Sequence, residues 1–347
     1  MDFELLERTL SERGEPGYRS RQIWRWVAQG ASGFDAMTDL PRELRAALAA
    51  AVPFSSLIVD RQAQARDGTV KALMRTADGR PLEAVVMSYA GPAGKAAARG
   101  ARSVRRRSLC LSSQSGCPLT CRFCATGQMR FGRNLTAGEI LDQALHFRRV
   151  ARSAPGGGSL DHAVFMGMGE PMMNLDAVLA ACRRLPDLGI SHRHTAISTV
   201  GWVPGIQRLA ASPMPIRLAL SLHAAEDSLR SELMPVNDRY PLSDVLAACR
   251  DYYERKRRMV FIEYVMLAGV NDSFAQARRL AEVLDPRIFK VNLIPYNPTD
   301  SPFAGSSPKA IEAFRSELER HGVRATVRLT RGRDIDAACG QLAAGAA

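Results

Sequence analysis

Apolar positions in the first part of the chain follow two different periods. Phe3 to Arg13 and Ser20 to Gln29 carry them at helical spacing, with Ile23, Trp24 and Val27 on one face. A third helix is predicted from Leu40 to Ala51, with Asp39 as its cap and Pro41 at its first position. The period then drops to two. Val70 to Arg75 and Leu82 to Tyr89 alternate, and Asp78-Gly79 between them is a hairpin turn signal. Residues 1–90 are therefore expected to form a small accessory domain of helices followed by a hairpin. Trp24 and Trp26 could stack on nucleic-acid bases, although a place in the core is the simpler use of either.

Residues 91–107, rich in Gly, Ala and Arg, read as a linker loop. From Ser108 to the end at residue 347, strand and helix signals alternate, which predicts an α/β domain with a parallel sheet. Strands are expected at Ser108–Ser113, Ala163–Gly167, Thr195–Thr199, Ile216–His223, Met259–Leu267, Phe289–Pro295 and Ala325–Leu329. Helices are expected at Ala137–Val150, Leu175–Leu185, Leu242–Arg255, Ser273–Leu284 and Lys309–His321. Six or so such units suit a partial, open barrel, where chemistry collects at the carboxyl ends of the strands.

Charge narrows the partners. The net charge is +12, yet residues 1–90 hold 12 basic and 12 acidic side chains, so the whole excess lies beyond them. Lys95, Arg99, Arg102 and Arg105 to Arg107 fall within thirteen residues that contain no acid, and Arg255 to Arg258 form a second basic run. A polyanion such as RNA is the natural partner, although solvated basic loops would give the same composition. Met1 to Pro16 is charged and no apolar run approaches membrane length, so a cytoplasmic protein without a membrane partner is expected. Seven cysteines without a secretion signal also fit a reducing compartment.

Three of those cysteines, Cys117, Cys121 and Cys124, form CxxxCxxC within eight residues. Thiolates this close want a metal. A structural zinc site is normally closed by a fourth ligand at short spacing, and none follows; three ligands on an iron–sulfur cluster leave one iron open for a substrate or cofactor. The cluster is favoured and zinc stays open. Phe123, directly before the last ligand, could pack on the cluster or on what it binds. Met168-Gly169-Glu170-Pro171 follows a strand; its glycine admits close approach and Glu170 could accept from an ammonium group. Of the remaining cysteines, Cys182 and Cys249 lie in helical patterns and read as core. Cys339 sits among Asp334, Asp336, Gly340 and Gln341, a poor core sequence, and reads as reactive.

Together these motifs resemble the radical S-adenosylmethionine (SAM) superfamily and, more narrowly, the RNA adenine methyltransferases that act on carbon 2 of an adenosine. The resemblance runs from about Gly17 to Ala344. It implies a partial (β/α)6 barrel carrying one 4Fe–4S cluster on Cys117, Cys121 and Cys124, with SAM as second cofactor. It implies SAM contacts at Gly169, Glu170, Ser198, Ser221, Leu222, His223 and Asn297, and the non-ligand cysteine pair Cys110 and Cys339. It implies that Cys339 is first methylated, that a radical made from a second SAM activates that methyl group toward the adenine, that Glu83 in Leu-Glu-Ala-Val removes a proton, and that Cys110 releases the product by forming a disulfide with Cys339. The implied substrates are 23S rRNA and tRNA, with flavodoxin or ferredoxin as electron donor and a monomeric state. Arg130, Ala225, Val200 and the long basic linker depart from the family pattern. Without the resemblance, Glu83 would pass for a solvent-facing strand carboxylate, Cys110 for a small buried hydrophobe and His223 for a core histidine.

Three other readings compete. The sister activity methylates carbon 8 of the same rRNA adenosine and confers antibiotic resistance. A glycyl-radical activating enzyme would need neither Cys110 nor Cys339. An RNA-binding protein with a structural iron–sulfur or zinc module would not bind SAM.

Overall fold

A computed structural model describes residues 1–90, 104–153 and 158–343. Helices α1 (Phe3–Glu12), α2 (Tyr18–Ala28) and α3 (Arg42–Ala51) come first, then strands β1 (Leu57–Gln64), β2 (Val70–Thr76), β3 (Pro81–Ala90) and β4 (Val104–Cys110). A two-stranded ribbon, β5 (Gln114–Ser115) and β6 (Arg133–Asn134), brackets the short helix α4 (Ala125–Gln128). The remainder alternates: α5 (Ala137–Ser153), β7 (His162–Phe165), α6 (Leu175–Arg184), β8 (Thr195–Thr199), α7 (Val203–Ala211), β9 (Arg217–Ser221), α8 (Asp227–Leu233), α9 (Leu242–Lys256), β10 (Val260–Met266), α10 (Phe274–Val283), β11 (Phe289–Pro295), α11 (Pro308–Arg320) and β12 (Ala325–Val327).

All strands but β5 and β6 join one sheet in the order β1-β2-β3-β4-β7-β8-β9-β10-β11-β12. From β4 onward each neighbour is parallel, which requires the helical crossovers the sequence supplies and gives an α/β barrel left open. β1 to β4 pair antiparallel, so the hairpin predicted around Asp78-Gly79 extends the barrel's own sheet. Gly79 takes φ +80°, and Asp78 accepts from the Thr76 hydroxyl across the turn. Of the predicted linker, residues 91–103 lie outside the described residues, while 104–107 belong to β4.

Three local expectations are corrected. Asp39 does not cap α3. Its carboxylate accepts the Trp26 indole N–H at 2.5 Å, and Pro41 occupies the cap position. Strand β1 is absent from the sequence reading because Asp60-Arg61-Gln62 break its alternation; most of the strand is exposed. Helix α7, absent from the predicted helices, begins Val203-Pro204-Gly205; proline is tolerated in a first helical turn and Gly205 is needed because a Cβ there would come within 2.4 Å of Met172. Trp24 is buried edge-on against Phe3, and its indole donates to Asp187 at 2.6 Å, fastening the amino-terminal helices to the barrel.

Arg230 of α8 ties the carboxyl ends of β8 and β9. Fully buried, its guanidinium donates to the carbonyls of Leu222 and Val200 and to Asn237 Oδ1. Burial lowers its pKa to about 10, so it stays charged at neutral pH. Arg230→Met would leave those acceptors buried and unsatisfied. We expect a loss of at least about 3 kcal/mol of stability, read as a fall in the urea midpoint; an unchanged midpoint would show that water replaces the guanidinium.

Candidate active site

The cysteine loop leaves the top of β4 and is anchored at both flanks. Arg122 N–H bonds the Leu233 carbonyl at 3.0 Å, and Ala125 N–H bonds the Gly340 carbonyl at 2.8 Å. Gly116, at φ +72°, passes so close to the Arg130 carbonyl that a Cβ would sit 2.4 Å from it. Burial pushes the Cys117 thiol up to about 12, with Cys124 and Glu170 adding to the rise. Cys121 and Cys124 are also raised, chiefly by burial. Backbone N–H groups oppose this at Cys117 (Leu119) and Cys124 (Thr126 and Gly127).

One buried and two half-buried thiols that act on one another, two of them with backbone donors, are a donor set awaiting a cation, since coordination replaces the lost protons. Zinc would draw its sulfurs to about 2.3 Å from one point. A structural zinc site is normally closed by a fourth Cys or His at short spacing, which this loop does not carry. Three thiolates without that fourth ligand suit an iron–sulfur cluster with one iron left open.

Next to this loop lies a cavity of about 160 Å³ at the carboxyl ends of β7 to β11. Phe123, Cys124, Gly169, Glu170 and Cys339 line it, as do Ser198, Ser221 and His223. Gly169 has φ +94°, and a Cβ there would strike Gln114. Glu170 is buried and accepts from Met172 N–H and Val200 N–H, each at 3.0 Å. Because the Val200 contact is made by backbone, the family departure at that side chain costs nothing here. Burial lifts the Glu170 carboxyl to about 7, against the opposing hydrogen bonds. Ser198 and Ser221 stand with their hydroxyls 3.3 Å apart.

His223, at φ +61°, lies edge-on to Phe123 and accepts Val265 N–H at Nδ1. Burial pushes its pKa down to about 3, so the ring is neutral with its proton on Nε2. Leu222 is fully buried and does not line the cavity; its N–H donates to the Glu263 carbonyl and its own carbonyl accepts from Arg230. Asn297 is also off this cavity. Its Nδ2 holds the Cys339 carbonyl at 3.1 Å.

Cys110, Cys339 and Asn297 line a second, smaller cavity of about 30 Å³ that shares Met166, Arg328 and Cys339 with the first. Both cysteines are free thiols. Burial and the neighbouring Cys339 push Cys110 up to about 12. Glu83 is buried, not solvent-facing: Lys71 Nζ lies 3.0 Å from Oε1, and Ala343 N–H donates to Oε2 at 3.1 Å. It thus meets the same carboxyl-terminal segment that carries Cys339.

Sequence reasoning missed Arg328 and Lys71. Arg328, directly after β12, lines both cavities, and its guanidinium is held cationic first by Cys339 and then by Glu263, 3.5 Å away. The available signal was an inward position on a predicted strand occupied by a charge. Lys71 was signalled by its register: it sits on β2, directly across from the strand that carries Glu83.

Residues 111–281 match the radical SAM superfamily, and residues 1–52 match the ribosomal RNA large subunit methyltransferase N-terminal domain. A crystal structure of a radical SAM methyltransferase from Sphaerobacter thermophilus, 44% identical, superposes with a TM-score of 0.90 over 99% of this chain and 98% of that one. Fold, donor set and match define a radical SAM protein, whose cofactors are a 4Fe–4S cluster and SAM. Relatives named probable dual-specificity RNA methyltransferase RlmN include one from Heliobacterium modesticaldum, 45% identical over 98% of this chain and 87% of that protein. Another, from Thermus thermophilus, is 43% identical over 98% of this chain and 92% of that protein. The chain belongs to the RlmN family.

The raised Glu170 carboxyl has a pH signature in the cofactor-free protein. A carboxyl with a higher pKa folded than unfolded holds its proton better in the fold, so stability is lost as pH rises from about 4.5 to about 7. Glu170→Gln cannot ionise. Its stability relative to wild type should therefore improve across that window, by up to about 3 kcal/mol, in urea titrations at several pH values. A constant difference would mean that folding does not raise the Glu170 pKa.

Proposed function

We propose that the chain methylates carbon 2 of an adenosine in 23S rRNA, and of the adenosine next to the anticodon in tRNA, by way of a methylated Cys339. The observation that carries this reading is the meeting of Cys110 and Cys339, remote in sequence, on one cavity that adjoins the Gly169-Glu170 cavity. The radical SAM domain and the RlmN relatives support it, and favour carbon 2 over carbon 8.

Cys117, Cys121 and Cys124 would hold the cluster; Gly169, Glu170, Ser198, Ser221 and His223 would hold SAM, with Leu222 packed in the core behind them. When bound, these cofactors supply the methyl group and the means of abstracting a hydrogen atom. Cys339 accepts the methyl group at sulfur and presents it to the adenine, and Asn297 fixes the backbone that bears it. Glu83, ion-paired with Lys71, takes the proton that leaves carbon 2. Cys110 attacks the Cys339 sulfur; the sulfur–carbon bond breaks, the carbon leaves with the electron pair and gains a proton, and an external reductant later restores both thiols. Burial of Cys110 keeps it a thiol, and therefore unreactive, until its proton is drawn off.

Several parts of the reading rest on chemistry alone. The target atom is hidden in stacked RNA, so the base must be splayed out, with the accessory domain (1–90) and the basic segments gripping the strand beside the barrel (108–347). A monomer supplied with electrons by flavodoxin or ferredoxin in the cytoplasm completes the proposal. No helix among the described residues is long and apolar enough to cross a membrane.

The test is anaerobic turnover of reconstituted protein with SAM, reductant and an rRNA fragment, followed by mass analysis. Wild type should yield 2-methyladenosine, and Cys110→Ala should stall as a covalent RNA adduct. With a thiol pKa of about 12, the thiolate fraction grows about tenfold per pH unit, so adduct breakdown in wild type should quicken from pH 7 to 9. An 8-methyladenosine product would overturn the regiochemistry; absence of any methylated nucleoside would overturn the enzyme reading.

A further inference from the structure

The barrel interior does not end at the cysteine pair. Below it lies a cavity of about 530 Å³ that shares Met166, Glu263 and Arg328 with the SAM-motif cavity and Leu329 with the cysteine cavity. Its far end is lined by residues at or just before the starts of strands: Arg106, His162, Arg193, His194, Arg217 and Phe261. His162 and His194 stack at 4.5 Å, Arg217 lies over the Phe261 ring at 4.8 Å, and Arg106 lies over Tyr89 at 4.3 Å.

Among the described residues, Arg106, Arg193 and Arg217 have no carboxylate partner, and His162 Nδ1 is buried without a hydrogen bond. The nearby acids are occupied. Asp161 accepts Arg107 N–H at 2.7 Å, and Glu263 is held by Asn292 and Arg328. Further cations stand at the rim: Lys256 and Arg258 donate to carbonyls of the segment before β9, and Arg258 also to Arg193. Leu329, 65% exposed, lines the path between this mouth and Cys339. The excess charge noted in the sequence therefore converges partly on this end.

We propose that RNA docks at the amino-terminal ends of the barrel strands, with Arg106, Arg193 and Arg217 binding its phosphates while the target nucleotide passes up the interior to Cys339. This rests on the RNA methyltransferase reading above. From the first inward layer to the cysteine layer is four residues along a parallel strand, about 13 Å, which excludes a stacked duplex and admits one extruded nucleotide. The cofactors thus occupy one end of the barrel and the polymer enters from the other.

Reconstituted holoprotein and a labelled rRNA fragment, followed by fluorescence anisotropy over a range of salt concentrations, test this. The double variant Arg193→Ala/Arg217→Ala should bind at least about 10-fold more weakly at low salt. Its plot of log K against log salt should be shallower by roughly 1.4, the value for two single-strand phosphates. Arg193→Ala alone, at an exposed site, should lower the slope by about half as much. A matched pair on the outer helices away from that face, Arg278→Ala/Lys309→Ala, should stay within about twofold of wild type. Equal binding by wild type and the mouth variants, or equal weakening by the outer pair, would overturn the docking face. Should wild type bind with the expected variant losses but methylate nothing, the catalytic reading fails while the docking face stands.

Discussion

Everything at this site depends on the two-residue alternation of seven parallel strands that bend around one interior. Each strand from β4 to β12 sends every second side chain inward, so a residue's place along its strand fixes its depth. Cys110, Met166, Ser198, Ser221, Val265, Ile294 and Arg328 form the layer nearest the carboxyl ends. Ser108, Val164, Ala196, Ala219, Glu263 and Asn292 lie beneath it. The interior needs polar groups in a place where burial penalises charge by several kcal/mol per ion. Glu263 is tolerable there because Asn292 and Arg328 flank it, and Glu170 because two backbone N–H groups face it.

The same burial separates the roles of the cysteines. Cys110 is fixed on a strand between two neighbours, raised in pKa and out of contact with solvent. Cys339 belongs to no strand. Its segment is held by a few hydrogen bonds: Asn297 to its own carbonyl, Ala125 to Gly340, Thr126 to Leu342 and Gln341 to Pro298. A carrier must approach cofactor and adenine in turn, while a resolving thiol must only wait. The two environments suit those different tasks, and Arg328 stands where it can act on either sulfur.

The sequence disclosed what has a local signature. Cysteine spacing, Gly169-Glu170 and the alternation of β8 and β11 need only neighbouring letters, and the two strands lie where that alternation predicts them. What escaped depends on neighbours remote in the chain. Asp39 looked like a helix cap until Trp26 proved to be its partner. Leu222 followed its motif neighbours into the expected ligand set, although the turn after β9 sends its side chain into the core. Lys71 became meaningful once strand pairing set it beside Glu83. Arg328 lies directly after a strand of three residues with no motif, and its significance comes wholly from two cysteines and a glutamate on other elements.

A basic face at the amino ends of the strands has a competing structural explanation. Every helix of the outer ring ends at that side, and its unsatisfied carbonyls favour cations in the last turn. Arg152 of α5, Arg183 and Arg184 of α6, Arg208 of α7 and Arg320 of α11 all fall there. Those residues say nothing about RNA. Arg106 and Arg217, however, lie on strands, and Arg193 in a single 3-10 turn, His192–His194, that leads into one; none belongs to the last turn of an outer α-helix. They line one open cavity and have no carboxylate partner among the described residues. Helix dipoles do not call for that arrangement, whereas a polyanion supplies the missing charge.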